Sequence, residues 1–185
     1  MSFPEAEVPL DLRRQMVALQ DRAWPPEQPS GCEPWHDPAL RPVSVLLIDE
    51  GRVLSALDIL SKHIEHAGRR FAVRGISTMV TDERFRCAGY GRRLASETRD
   101  MMRASGSDLG IFTCDTPLRR FYGSAGWTHL PGTVLIGGTP EEPLPSDRFD
   151  KVTIGSFFSP AAIAAKPSFL NARIELYPGS IDTLW

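Results

Sequence analysis

Apolar residues recur along this chain with two different periods, and the switches between them mark its elements. In LDLRRQMVALQDRAW, Leu12, Met16, Leu19 and Ala23 fall four, three and four residues apart, which predicts a helix with one apolar face. It stops at PPEQPSGCEPWHDPALRP, where six prolines forbid any continuation. VSVLLIDEGRVLSALDILSK then runs as two β-branched, leucine-rich segments on either side of Asp49-Glu50-Gly51, a hairpin pattern. EHAGRRFAVRGISTMVT adds another turn and a further strand. From Gly89 the helical period returns: Leu94, Thr98, Met101 and Met102 share a face that ends near Ser105, with Gly106 as the stop. LGIFT is a short buried strand, and PLRRFYGSAGW a short helix with Pro117 in its first turn and Leu118, Phe121, Tyr122 and Ala125 on one side. TVLIGG and KVTIGSFF are strands around the proline- and acid-rich TPEEPLPSDRFD, and NARIELYPGSIDTLW offers a last short strand. This order predicts one α/β (α+β) domain over residues 1–185, built on a mixed, mostly antiparallel sheet.

Composition narrows the class. The 185 residues suffice for a sizeable core, and 42% hydrophobic with 24% charged residues is an ordinary globular balance. No apolar run approaches the roughly 20 residues of a membrane span, and the first residues, MSFPEAEVPLDLRRQM, lack the basic flank and apolar stretch of a signal peptide. Cys32, Cys87 and Cys114 are an odd, widely spaced set, which fits reduced thiols and a cytoplasmic location. Neither Cys32 with His36 nor His63 with His66 completes a metal-ligand set, so no metal is expected.

Charge changes the picture through its distribution. The net value of −2 argues against a nucleic-acid partner. Residues 1–65 hold 11 acids and 6 bases, residues 66–132 hold 6 acids and 11 bases, and residues 133–185 hold 6 acids and 4 bases. A basic middle between acidic flanks suits an anionic ligand at the centre and a cationic one against the flanks.

The centre contains RCAGYGRRL, a glycine pair between arginines that follows a strand and opens a helix. Amides of a first helical turn and the positive end of the helix dipole converge there on any bound anion. Gly89 and Gly91 let a phosphate approach the backbone, and Arg86, Arg92 and Arg93 add charge. The stretch is no G-x-x-x-x-G-K-[ST] phosphate loop, and a dinucleotide fingerprint would need a third glycine where Leu94 or Arg93 stands.

Arg86-Cys87-Ala88-Gly89-Tyr90-Gly91 resembles the R/Q-x-x-G-x-G/A motif of the GNAT acyltransferases, which bind acetyl-coenzyme A. FYGSAGW, after the strand LGIFT, resembles the ending of that family's next helix, so two motifs stand in register over residues 71–127. The resemblance implies a GNAT fold with acetyl-coenzyme A as cosubstrate and residues 66–132 as its binding core. Met79, Val80 and Thr81 would face the pantetheine arm, with the Met79 amide polarising the thioester carbonyl. Arg86, Cys87, Ala88, Gly89, Tyr90, Gly91 and Arg92 would wrap the pyrophosphate, and Tyr122 would give a proton to the departing thiolate. Many members carry a glutamate on the strand before the loop. Here Ser77 and Thr78 stand in that region, so the base is water-mediated, comes from another strand, or is not needed.

The same resemblance implies that residues 1–65 and 133–185 form the acceptor side. The acids there favour a cationic amine. The ending SIDTLW resembles the G-D-x-W type C-terminus of aminoglycoside 2'-N-acetyltransferases, with an affinity to the kasugamycin-acetylating branch, although Asp182 sits one place farther from the end. The candidate acceptor residues are Trp24, Glu33, Trp35, His36, Asp37, Ser77, Thr78, Thr113, Asp147, Asp150, Asp182 and Trp185. The implied activity is N-acetylation of an aminoglycoside amine. Another small amine, a protein N-terminus, or a non-catalytic acyl-coenzyme A sensor remain alternatives. Dimers are common in the family, and the sequence shows no interface.

Overall fold

The computed structural model describes residues 1–27 and 31–177. In chain order the elements are β1 (Ser2–Pro4), α1 (Leu10–Ala23), β2 (Val43–Asp49), β3 (Arg52–His66), β4 (Arg69–Thr81), α2 (Tyr90–Ala104) and β5 (Leu109–Asp115). There follow α3 (Arg119–Ser124), β6 (Thr128–His129), β7 (Val134–Gly138), β8 (Pro143–Pro145), β9 (Lys151–Phe157), α4 (Pro160–Phe169) and β10 (Arg173–Glu175). The hairpin turn of β2 and β3 is made by Glu50 and Gly51, both at positive φ (45° and 75°), and that of β3 and β4 by Ala67 and Gly68 (49° and 70°). α2 stops where Gly106 takes φ 76°. α4 has no apolar period to announce it. It is started by Pro160 and by Ser159, whose hydroxyl accepts the Ala162 N–H at 3.1 Å.

The main sheet has strand order β1-β2-β3-β4-β5-β9-β6, and β10, β7 and β8 form a second small sheet. Pairing in the main sheet is antiparallel except at β4 and β5. Those two pair in parallel at Val73–Leu109 and Arg74–Gly110 alone, and then diverge. Beyond that point β5 keeps a full ladder with β9, and β4 keeps its ladder with β3, so the sheet forks.

Each branch of the fork is held by its own packing. Ala56 and Leu57 are adjacent on β3 and point to opposite faces. Ala56 joins Leu46 and Val80 beneath Leu12, Met16 and Leu19 of α1. Leu57 joins the larger core, with Leu94, Ala95 and Met102 of α2 and Phe112 of β5. Ala23, the last residue of the apolar face expected of α1, is exposed at the helix end. Burying a leucine or methionine of these clusters contributes about 1.5–3 kcal/mol. No helix among the described residues is long and apolar enough to cross a membrane.

The β3–β4 ladder carries one irregularity at the fork. Ala56 pairs with Val80 and Asp58 with Ser77, so Leu57 alone faces both Thr78 and Met79. Thr78 takes φ 50°, a left-handed conformation that a β-branched residue adopts only when its surroundings impose it.

Candidate active site

Two cavities meet at this bulge. The first, about 770 Å³, lies in the mouth of the fork. The ten residues read from the sequence as donor-binding, Met79, Val80, Thr81, Arg86, Cys87, Ala88, Gly89, Tyr90, Gly91 and Arg92, all line it, together with Phe85, Leu118, Phe121 and Tyr122. The turn that carries the motif depends on Cys87 at φ 62° and Gly89 at φ 86°. The first helical bond of α2 is Arg93 N–H to the Gly89 carbonyl at 2.9 Å, so the amides of Tyr90, Gly91 and Arg92 precede any bond of the helix ladder. A Cβ added at Gly91 would lie 2.8 Å from Thr81 Oγ1 and 3.4 Å from the Phe121 ring, so α2 can start this close to β4 only with glycine there. A glycine cradle with free amides, basic flanks and a long cleft fits the pyrophosphate and arm of coenzyme A.

Tyr122 closes the inner end of this cavity. Its ring is 5% exposed and packs edge-on against Phe112 at 4.9 Å and Phe121 at 5.0 Å. Its hydroxyl donates to Met79 Sδ at 3.5 Å. Burial, then the neighbouring Cys114 and Asp115, push the phenol well above its ordinary value. It therefore keeps its proton at neutral pH and can act as a donor. Burial also pushes the Cys114 thiol up to about 11, which leaves it unreactive, and no histidine among the described residues bonds it.

The second cavity, about 490 Å³, lies on the α1 side of the sheet. Its walls come from the N-terminal turn at Glu5, from α1, from the loop after α1, from Asp58, Ser77, Thr78 and Thr113 on the sheet, and from Leu144, Phe149 and Lys151. Thr78 belongs to this cavity and Met79 to the other, so the bulge is the partition between them. Trp24 and Trp35 stand at the mouth, 54% and 69% exposed.

Glu5 organises the loop wall. Its carboxylate accepts the Trp35 N–H at 2.7 Å and bonds His36 Nδ1 at 3.2 Å. His36 Nε2 in turn lies 3.3 Å from Ser77 Oγ. The Arg13 guanidinium donates to the Glu5 carbonyl. Burial of Glu5 acts to raise its pKa, but the hydrogen bonds from His36 and Trp35 outweigh it and hold the carboxyl below its ordinary value.

Of the acceptor residues expected from the sequence, Trp24, Glu33, Trp35, Ser77, Thr78 and Thr113 line this cavity. His36 stands behind the wall rather than at the rim, 5% exposed, because its ring is taken up between Glu5 and Ser77. Asp37 lies outside and caps the turn Pro38–Leu40, accepting the Ala39 N–H at 2.8 Å. Asp147 also lies outside, in a surface ion pair with Arg173 at 2.8 Å. Asp150 lies outside too, where its backbone carbonyl holds the Thr116 N–H at 3.1 Å. Asp182 and Trp185 fall outside the described residues.

Three cavity carboxylates escaped sequence reasoning, Glu5, Asp21 and Asp58. Asp58 is 1% exposed and accepts Ser44 Oγ at 2.5 Å on Oδ1 and Thr78 Oγ1 at 2.6 Å on Oδ2. The only trace of it in the sequence is a lone acid inside an otherwise apolar strand, ALDIL.

Comparison with known proteins agrees with this architecture. Residues 8–130 match the family described as acetyltransferase (GNAT) domain. Among solved structures, an acyl-CoA N-acyltransferase from Pseudomonas aeruginosa is similar at TM-score 0.57 and 15% identity, over 84% of this chain and 96% of that one. Escherichia coli ElaA is similar at TM-score 0.58 and 15% identity, over the same shares of the two chains. An aminoglycoside 6'-N-acetyltransferase in complex with coenzyme A is similar at TM-score 0.56 and 10% identity, over 86% of this chain and 98% of that one. At such identities the likeness is one of fold. No curated protein matches the chain by sequence. With its match extending over well over half its length, and with the glycine cradle in the fork of its sheet, the chain belongs to the GNAT acetyltransferases.

Proposed function

We propose that this acetyltransferase moves the acetyl group of acetyl-coenzyme A to an amino group of a cationic aminosugar, an aminoglycoside. The observation that carries the reading is the cavity beyond the bulge. Among the described residues its walls hold four carboxylates, Glu5, Asp21, Glu33 and Asp58, against two bases, Arg13 and Lys151. Trp24 and Trp35 at its mouth offer flat apolar faces to a sugar ring. In this reading residues 66–132 serve the donor, and the segments before and after them serve the acceptor. The Met79 amide polarises the thioester carbonyl, and Tyr122 protonates the thiolate that leaves. A cationic acceptor is drawn in by the acids, and the bulge sets its amine beside the acetyl carbon.

Support for the 2' amine, and for kasugamycin as the first compound to try, comes from the SIDTLW ending, outside the described residues. The test is release of free thiol from acetyl-coenzyme A across a panel of aminoglycosides, kasugamycin included, with glucosamine, spermidine and amino acids beside them. Mass spectrometry and NMR then locate the new amide. Turnover of aminoglycosides well above the simple amines is the expected result. Silence across the panel overturns the reading, and preference for spermidine or an amino acid overturns the aminosugar assignment.

A further inference from the structure

We propose that Asp58 is the general base of the transfer, the carboxylate that takes the proton of the acceptor ammonium at the bulge; this rests on the amine-acetylating reading above. A GNAT transfer needs a neutral amine, and β4, where a carboxylate is commonly found, offers Ser77 and Thr78 instead. The neighbouring strand supplies one. Asp58 is paired with Ser77 across the β3–β4 ladder and lines the acceptor cavity.

Its position relative to the donor is set by two short links. The carboxylate holds Thr78 Oγ1 at 2.6 Å, and the next residue, Met79, receives the Tyr122 hydroxyl at 3.5 Å on its sulfur. A carboxylate and a phenol thus flank the one bulge, each in its own cavity. Two hydroxyls donate to the two oxygens of Asp58, an arrangement that suits the ionised form. Gln20 Nε2 reaches Oδ2 only at 3.5 Å, a long contact that an ammonium can displace. Almost complete burial keeps bulk water from competing for that proton.

The groups that surround Asp58 tune it. Burial raises its pKa above the ordinary aspartate value, and His36, Ser44 and Thr78 act to lower it while Glu5 acts to raise it. Arg13 and Asp21 of α1 and Lys151 of β9 line the same cavity. A raised carboxyl is a better base for an ammonium than an exposed aspartate.

One ammonium proton passes to Asp58, and the nitrogen lone pair attacks the acetyl carbon. The N–C bond forms, the C–S bond breaks, and Tyr122 gives its proton to sulfur. The second nitrogen proton restores the phenol, and Asp58 releases its proton to water, so one proton is freed per amide made.

The experiment compares wild type with Asp58→Asn and Ser44→Ala, using as probe the amine most rapidly acetylated in the panel, from pH 5.5 to 9.5. Circular dichroism and the acetyl-coenzyme A Kd check folding. For Asp58→Asn the expected result is a fall in kcat/KM of at least about 100-fold at pH 7. That fall is partly recovered at pH 9.5, where free amine is abundant, and the acetyl-coenzyme A Kd is unchanged. For Ser44→Ala the loss of one donor to the carboxylate disfavours its ionised form, so the acid limb of the pH profile moves to higher pH. This second variant decides the matter if Asp58→Asn fails to fold. If the wild type acetylates no amine, the activity reading falls and the assignment with it. If the wild type is active while Asp58→Asn stays within threefold, or Ser44→Ala lowers Tm without moving the acid limb, Asp58 is a structural acid and the assignment alone is overturned.

Discussion

The two cavities that meet at Thr78 and Met79 are built in opposite ways. The donor cavity takes its lining from two compact runs, residues 79–92 and 118–122, whose turn depends on Cys87 and Gly89 at positive φ. The second cavity, the acceptor site in the proposed reading, gathers residues from the N-terminal turn, α1, the loop after it, three strands of the main sheet and the segments around β8 and β9. Recognition by backbone requires particular conformations, which only a few residue types permit, and so it leaves a motif. Recognition by side chains from distant segments leaves only a composition, here an excess of acids.

Four substitutions sharpen this contrast, the most damaging first. Gly89→Asp forces a side chain into φ 86° and sets a negative charge against the phosphates, so the acetyl-coenzyme A Kd measured by calorimetry should rise by at least about 100-fold. Tyr122→Phe should lower kcat about 100-fold and leave that Kd within twofold, as rapid-mixing and binding measurements would show. Unchanged kcat would remove Tyr122 as the acid. On the acceptor side, Glu5→Gln should destabilise the fold by about 1–3 kcal/mol and raise the acceptor KM with the donor Kd unmoved. Because the Glu5 carboxyl is held below its ordinary value of 4.5, its contribution is complete above that pH and is lost as pH falls through the lowered one. The Tm gap between Glu5→Gln and wild type should therefore be wide at pH 7 and should narrow as pH falls below the ordinary glutamate value. Asp147→Asn should change stability by less than about 0.5 kcal/mol and leave KM alone, since its ion pair with Arg173 is exposed. A raised acceptor KM there would return Asp147 to the acceptor site.

Legibility in the sequence followed the same division. The hairpins were readable from Asp49-Glu50-Gly51 and Ala67-Gly68, whose turn chemistry is local, and α1 and α2 from their apolar period. α4 was not, because its alanines carry no period and Pro167 lies inside it. The residues of the glycine motif all line one cavity. The acidic flanks suggested a cationic acceptor without separating the acids that line the second cavity from those that do not. Asp37, Asp147 and Asp150 carry the same charge as Glu33, yet a capping bond engages Asp37, an ion pair engages Asp147, and Asp150 does not line the cavity. Glu5 and Asp58 were invisible for a related reason: a buried acid is defined by its partners, Trp35 and His36 in one case, Ser44 and Thr78 in the other, from 14 to 31 residues away.

The bulge also has a meaning in the arithmetic of the chain. Side chains of a strand alternate faces, so the number of residues between two positions fixes whether they point the same way. From Ala56 to Asp58 the count is two, whereas from Ser77 to Val80 it is three, and the ladder still places each pair together. The extra residue is a change of parity in the middle of β4. A single deletion at residue 78 would restore an even count and a regular ladder, leaving both halves on their present faces but erasing the bulge that parts the two cavities. Loss of this residue should therefore keep the strands paired while removing the partition, whereas a loss or gain of one residue elsewhere in the strand should shift one half against its partner. Length variation among natural relatives of this chain should accordingly fall outside residues 76–81.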